Sequence, residues 1–248
     1  MAYFQMAYLY DRLMEEAPYK KWYTITEEIL RLTGEKVETI ADLGCGTGEI
    51  TLKMAEAGYN LYGVDYSADM LAVAAEKSFQ KNVNIQWINQ DIRELSGLSN
   101  IDLAISYCDV INYITKIEEV KNTFQNVAQI LRPGGLFIFD VHSMYHVEQN
   151  LTNKTFADVG EDYSYIWFCD PGDEQGEMFH HLTFFTLVGE KYERFVELHH
   201  QQTYPVHKYE QLLLETGFEK PKLYADFNIK DEFITEKAER IFFLTRKK

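Results

Sequence analysis

Thiols are scarce, and basic residues are outnumbered. Cys45, Cys108 and Cys169 are the only cysteines in 248 residues, odd in number and far apart. That spacing argues against a disulfide framework and leads us to expect reduced thiols in the cytoplasm. No apolar run approaches the length of a bilayer-spanning helix. The opening MAYFQMAYLYDRLMEEAPYKK has no basic start followed by an apolar stretch, so no secretory signal is expected. Lys and Arg total 24 against 39 Asp and Glu, a net charge of −15. Such a surface repels phosphate backbones, and the one dense basic run, TRKK, is short, so a nucleic-acid substrate is disfavoured. Solubility alone would explain the acidity equally well. Repeats and low-complexity linkers are absent too.

What is present is a rhythm. TIADLG, NLYGVD, VNIQWINQD, IDLAISYCD and LFIFDV read as five strands, separated by helices or connecting segments. EITLKMAEAG reads as a helix ending at Gly58, and SADMLAVAAEKSFQK as one capped by Ser67. A third helix runs from about Ile117 to Leu131 and stops at the turn RPGG. The expected fold is α/β, a doubly wound and mostly parallel sheet, completed to seven strands by KLYADF and RIFFLTRKK. After Val141 the rhythm breaks. DYSYIWFC, EMFHHLTFFTLV and KYERFVELHHQQTY read as three antiparallel strands of an insert, before the helix VHKYEQLLLETGF. The expected division is a tyrosine-rich helical lid (1–36), an α/β domain (37–142 plus 206–248) and a β-rich insert (143–205) over its carboxyl edge.

ADLGCGTGEI packs Gly44, Gly46 and Gly48 behind Asp42. The spacing is G-x-G-x-G rather than the G-x-G-x-x-G of a dinucleotide fold, whose helix terminus receives a pyrophosphate. A carboxylate two positions ahead of the first glycine suits an ammonium better than a phosphate. Asp65, 17 residues beyond Gly48, ends the second strand, where a carboxylate accepts hydrogen bonds from ribose hydroxyls. Asp91 follows the third strand, placed to meet an adenine amino group. Aspartates also end strands as turn formers. That accounts for any one of them, and poorly for three beside a glycine loop.

ADLGCGTGEIT, GVDYS, INQDI, IDLAISYCD and LRPGGLFIFDV together resemble the class I S-adenosylmethionine-dependent methyltransferases, over about residues 38–141 and the last two strands. The resemblance implies a Rossmann-like sheet and S-adenosylmethionine as cofactor. Asp42, Gly44, Cys45 and Gly46 would line its methionine part, and Asp65 would hold the ribose. Tyr66 and Met70 would flank the adenine, and Asp91 with Ile92 would contact it. The insert and the aromatic N-terminus resemble the branch that methylates small molecules, sugar N-methyltransferases included.

A sulfonium methyl is already activated for in-line displacement, so the protein needs chiefly to align a nucleophile and strip it of water. A base is required only for a protonated nucleophile. His142, Asp109 and Tyr10 are the candidate catalytic residues, with Asn112 and Tyr19 beside them. Capping is a plainer role for Asp109 and packing for Tyr10 and Tyr19, while His142 stands evenly between pocket and turn; His142 and Asp109 are expected in the pocket. Pyrimidine C5-methyltransferases carry a proline before a nucleophilic cysteine, whereas Tyr107 precedes Cys108. Cys108 is therefore read as core or pocket packing and counted with the cofactor residues. The N/D-P-P-Y/F pattern of base-amine methyltransferases is replaced by SYCD. A turn at Gly189–Glu190 would set His180 opposite His199, a pair with no obvious third metal ligand, so no metal is expected. The expected activity is methyl transfer to N or O of a small molecule. An RNA or protein methyltransferase, a nicotinamide-dependent dehydrogenase and a non-catalytic cofactor binder are the rivals. The oligomeric state is left open, a homodimer included.

Overall fold

The computed structural model describes residues 17–230 and 235–248. Helix α1 (Tyr19–Thr33) buries Trp22, Ile25, Thr26, Ile29 and Leu30, spaced at three and four residues so that they share one face. Gly34 ends it in a left-handed conformation. The alternation then runs β1 (Thr39–Leu43), α2 (Glu49–Glu56), β2 (Asn60–Asp65), α3 (Ala68–Gln80), β3 (Ile85–Asn89), β4 (Ile101–Ser106), α4 (Ile117–Ile130) and β5 (Leu131–His142). Ser67 caps α3 as expected, its hydroxyl accepting the Met70 N–H at 3.3 Å. After β5 come β6 (Lys154–Val159), β7 (Tyr163–Pro171), β8 (Glu177–Val188) and β9 (Lys191–Gln202). Helix α5 (Val206–Glu215), β10 (Lys222–Ala225) and β11 (Arg240–Arg246) close the chain.

The larger sheet has seven strands in the order β10-β11-β5-β4-β1-β2-β3. Strands β1 to β5 run parallel, and β11 pairs antiparallel with both β5 and β10. The doubly wound, mostly parallel sheet is thus as expected. Its order reverses between β1 and β4, where open α/β sheets receive ligands outside the strands' carboxyl ends. Strand β5 illustrates the layering. Phe137, Phe139 and Val141 pack with α4 and α5, while Leu136 and Ile138 pack with α1 and α2. By the same alternation Asp140 points to the α1 side, where its carboxylate accepts from the Trp22 indole N–H at 3.2 Å.

Two details differ from the sequence reading. The second sheet has four antiparallel strands, β6-β7-β8-β9, not three. Strand β6, KTFADV, is a short and mostly exposed edge that only its ladder with β7 reveals. RPGG does not precede the strand but bulges within it, because the β4–β5 register jumps from Ile101↔Leu131 to Leu103↔Leu136. No helix among the described residues is long and apolar enough to cross a membrane.

Candidate active site

The glycine loop joins β1 to α2 beside the switch point. Gly44, Gly46 and Gly48 have φ of 78°, 54° and 81°, which L side chains rarely adopt. Close approach differs among them. A Cβ on Gly44 would lie 2.4 Å from the Val110 side chain, and one on Gly48 2.7 Å from the Trp87 ring. One on Gly46 would meet nothing within 4 Å. Packing inside the protein thus demands two of the glycines, and Gly46 alone lies against open space.

Asp65, at the end of β2, accepts the Gly46 and Ser67 N–H groups, each at 2.8 Å and on a different carboxylate oxygen. Burial raises its pKa against those hydrogen bonds. Asp42 is buried in β1 and accepts the Thr51 hydroxyl at 2.6 Å. Burial pushes its carboxyl up to about 7, with Thr51 opposing and Asp65 adding to the rise. Cys45 is half-buried, its thiol raised chiefly by burial. Tyr66 stands exposed at the rim, Met70 is half-buried on α3, and Ile92 is buried. Asp91 grips Arg93 through two oxygens at 2.6–3.0 Å, and that pairing lowers its pKa.

The other half of the edge is built around the turn after β4. Cys108 and Asp109 are both left-handed (φ 58° and 53°), a strained pair for residues other than glycine. The turn aims the Asp109 carboxylate at three groups. Arg240 Nη2 donates to it at 3.0 Å, Gln201 Nε2 at 2.9 Å, and His142 Nε2 lies 3.4 Å away. Burial would raise the Asp109 pKa, but His142 and Arg240 overcome it and hold the carboxyl well below its usual range. His142 ends β5. Its backbone N–H donates to Asn112 Oδ1 (2.9 Å), its carbonyl accepts the Thr203 hydroxyl (2.6 Å), and its Nδ1 is buried without a partner. Arg240 also binds Asp140 and lies 5.2 Å from the Trp22 ring centre. The Cys108 thiol is raised well above its ordinary value, mainly by burial, and so is a poor nucleophile. Tyr10 lies outside the described residues, and Tyr19 packs in the α1 layer.

The insert's inner face meets this turn directly. His180 and His199 are cross-strand partners, as the expected Gly189–Glu190 hairpin requires. His180 Nδ1 accepts the Trp167 indole N–H at 3.0 Å, so its Nε2 carries the proton and donates to Gln201 Oε1 at 3.0 Å. Gln201 in turn donates to Asp109, giving a chain of fixed polarity from β7 to Asp109. His199 bonds Glu197 at 2.7 Å and the Tyr113 hydroxyl at 3.1 Å. All four ring nitrogens have protein partners. No group of three or more metal-ligating side chains occurs among the described residues.

His142 and Asp109 are thus brought together, and Asp42, Asp65 and the glycine loop form the adjoining half. Asp140, Arg240, Trp22, Gln201, and Tyr113 and Glu197 as partners of His199, escaped the sequence reading. A visible trace was the lone arginine heading the apolar strand RIFFLT.

Comparison with known proteins agrees with this architecture. A family model described as a methyltransferase domain matches residues 40–135. A protein of Geobacillus sp. (strain WCH70) with a methyltransferase designation and no named acceptor is 40% identical, covering 100% of both chains. YqeM of Bacillus subtilis (strain 168), designated likewise, is 38% identical over 100% of this chain and 98% of its own. A solved S-adenosylmethionine-dependent methyltransferase of Clostridium acetobutylicum ATCC 824 superposes with a TM-score of 0.89 at 28% identity, covering 100% of this chain and 99% of that one. The sugar N-methyltransferase KedS8 of Streptoalloteichus sp. ATCC 53650 shares the fold, at a TM-score of 0.78 and 16% identity over 95% of this chain and 91% of that one. The chain belongs to the class I S-adenosylmethionine-dependent methyltransferases.

Proposed function

We propose that this enzyme methylates N or O of a small molecule held between the carboxyl edge of the large sheet and the inner face of the insert, with His142 as proton acceptor. The observation carrying the reading is the Asp109–His142 pair, placed where the insert's Gln201 reaches the turn after β4. Asp109 holds Nε2–H of His142 and leaves Nδ1 as the basic nitrogen, a positioning role like that of an acid behind a catalytic imidazole. Asn112 and Thr203 fix the ring's backbone from both sides.

The residues at the other half fit S-adenosylmethionine. Gly46 lies against open space, buried Asp65 stands next to it at the end of β2 and accepts its N–H, and buried Asp42 offers a countercharge to an ammonium. Gly44, Cys45 and Gly46 would line the methionine end, and Cys108 would pack beside it. Tyr66, Met70, Asp91 and Ile92 would surround the adenine. When bound, the cofactor supplies a methyl already activated on sulfur. The chain's own task is to orient the acceptor, exclude water with the insert and take up a proton.

Two observations favour a small acceptor over RNA. The insert's inner face is aromatic and half-buried at Phe156, Tyr165, Trp167 and Phe195, and its outer face carries one arginine and no lysine among its strand positions. KedS8 supports an amine-bearing acceptor at the level of fold alone. The free thiols belong to the same proposal, as a cytoplasmic enzyme; residues 1–16 of the expected lid lie outside the described residues, and α1 packs on the large sheet.

The test is a screen with methyl-labelled cofactor against small amines and alcohols, bulk RNA and protein extract. Label entering a small molecule, and falling at least about a hundredfold in His142→Ala with S-adenosylhomocysteine binding retained, is expected. Label entering only RNA or protein overturns the small-molecule reading. Calorimetry in which NADH binds and S-adenosylhomocysteine does not would overturn the cofactor half.

A further inference from the structure

Two imidazoles converge on one carboxylate. His142 reaches Asp109 Oδ1 directly, its Nε2 at 3.4 Å. His180 reaches Oδ2 through the Gln201 amide, by links of 3.0 and 2.9 Å. A carboxylate favours the protonated form of either ring, so a proton arriving here has two places to go. The far nitrogen of each ring separates them. His142 Nδ1 is buried and has no protein partner. His180 Nδ1 receives the Trp167 indole N–H at 3.0 Å. An indole nitrogen only donates, so that bond lasts only while Nδ1 keeps its lone pair. Protonating His180 would turn two N–H groups against each other in a buried place.

We infer that Trp167 is a positioning residue for proton transfer: its N–H keeps His180 neutral and so directs the proton to His142, an assignment that rests on His142 as the proton acceptor proposed above. As the acceptor's new N–C or O–C bond forms, its N–H or O–H bond breaks, and the proton joins His142 Nδ1 to give an imidazolium. Trp167 touches neither reactant and acts only through His180.

The surrounding groups agree. On β9, His180 faces Gln201 and His199, the latter bonded to Glu197. Its partner on β7 is Cys169, whose thiol burial pushes up to about 12, so it stays neutral. Burial is the largest influence and lowers the His180 pKa; Gln201 and Asp109 work against it, His142 and His199 with it. Around His142 stand Asp109, Arg240 on β11 and His146, whose ring centre is 5.0 Å away. Burial lowers the His146 pKa to about 4, which removes it as a competitor near neutral pH. Trp167 also stacks on Phe156 at 4.4 Å between ring centres, so Trp167→Phe keeps an aromatic ring there and removes the N–H.

Nitrogen-15 NMR of the histidine rings in the ligand-free full chain, titrated from about pH 8 to about pH 5, reads both protons without any methyl acceptor. In wild-type protein His180 should keep a bare Nδ1 after His142 has taken its proton. Trp167→Phe should raise the His180 midpoint by about 1 pH unit and lower that of His142. Added to His180→Gln, the same change should leave the His142 midpoint where His180→Gln alone has it, because the competing ring is gone. A wild-type His180 that protonates first overturns the inference. So does a folded Trp167→Phe with both midpoints unmoved, or a His142 shift that persists in His180→Gln and so reflects packing. If Trp167→Phe does not fold, the wild-type order decides. Failure of the His142 reading looks different: His142→Ala would keep its methyl transfer while the midpoints behave as expected.

Discussion

Asp109 and Asp140, one in the turn after β4 and one inside β5, share a single guanidinium. Arg240 reaches Asp109 through Nη2 at 3.0 Å and Asp140 through Nη1. Asp140 is wholly buried, and its pKa is raised by burial despite Arg240. Arg240 is held charged, since the two carboxylates outweigh its own desolvation. The arrangement spans the layers, with Trp22 of α1 on Asp140 and Gln201 of β9 on Asp109.

Removing the shared cation should therefore cost more than removing either acid. Arg240→Met leaves two buried carboxylates facing each other without the guanidinium they share, and a loss of about 3–5 kcal/mol is expected. Arg240→Met combined with Asp140→Asn should recover part of it, because the remaining buried group is then neutral. Urea unfolding of the two variants checks this. A double variant no more stable than the single one would count against the shared-cation account.

Gln201 tests the link between the insert and the edge. Gln201→Leu keeps the volume but strands the His180 Nε2–H and removes one donor from Asp109. The expected loss is about 1–3 kcal/mol for a buried donor left unpaired. His180→Phe together with Gln201→Leu should cost less than the separate losses combined, since the first change removes the orphaned donor. Thermal unfolding of both singles and the double measures the coupling.

The half of the candidate site proposed for the cofactor could be read from the sequence because its residues are close along the chain. Asp42, Gly46 and Asp65 sit on consecutive elements, and alternating strands and helices fix their common edge. His142 and Asp109 were also legible, each closing a conspicuous apolar strand. Arg240 and Trp22 were not, for a physical reason. They reach Asp140 from 100 and 118 residues away, and only the antiparallel pairing of β11 with β5 and the docking of α1 bring them in. Strand β6 was missed because an exposed edge carries no burial pattern of its own. The glycines were read as room for a ligand, and at Gly44 and Gly48 the occupant proved to be Val110 and Trp87.

Asp42 should make the ligand-free protein less stable as pH rises. Its folded-state pKa is lifted from 3.8 to about 7, with burial the largest cause. An acid whose folded pKa is raised binds its proton more tightly in the folded state than in the unfolded one. Its favourable contribution is therefore fully present below pH ~4 and lost progressively up to pH ~7. Asp42→Asn does not titrate there, so its melting temperature relative to wild type should climb between pH 5 and pH 8. A gap that is equal at both pH values would exclude Asp42 as the titrating group. Cofactor affinity should move the other way, weakening about tenfold or more in the variant if the ionised carboxylate meets an ammonium.

Gly44 and Gly46 should separate stability from binding. Both have positive φ, so alanine at either pays a backbone cost of roughly 1–2 kcal/mol. At Gly44 the new Cβ also meets Val110 at 2.4 Å, and overpacking adds about 1–3 kcal/mol. Val110→Ala should relieve that second part in the double variant. At Gly46 no protein atom lies within 4 Å of the new methyl, so stability should fall only by the backbone cost. Its S-adenosylhomocysteine affinity should fall by tenfold or more, about 1.4 kcal/mol, because the methyl enters the space assigned to the ligand. Urea unfolding and calorimetry on the same three variants give both readouts. Unchanged affinity in a folded Gly46→Ala would move the methionine end of the cofactor away from that glycine.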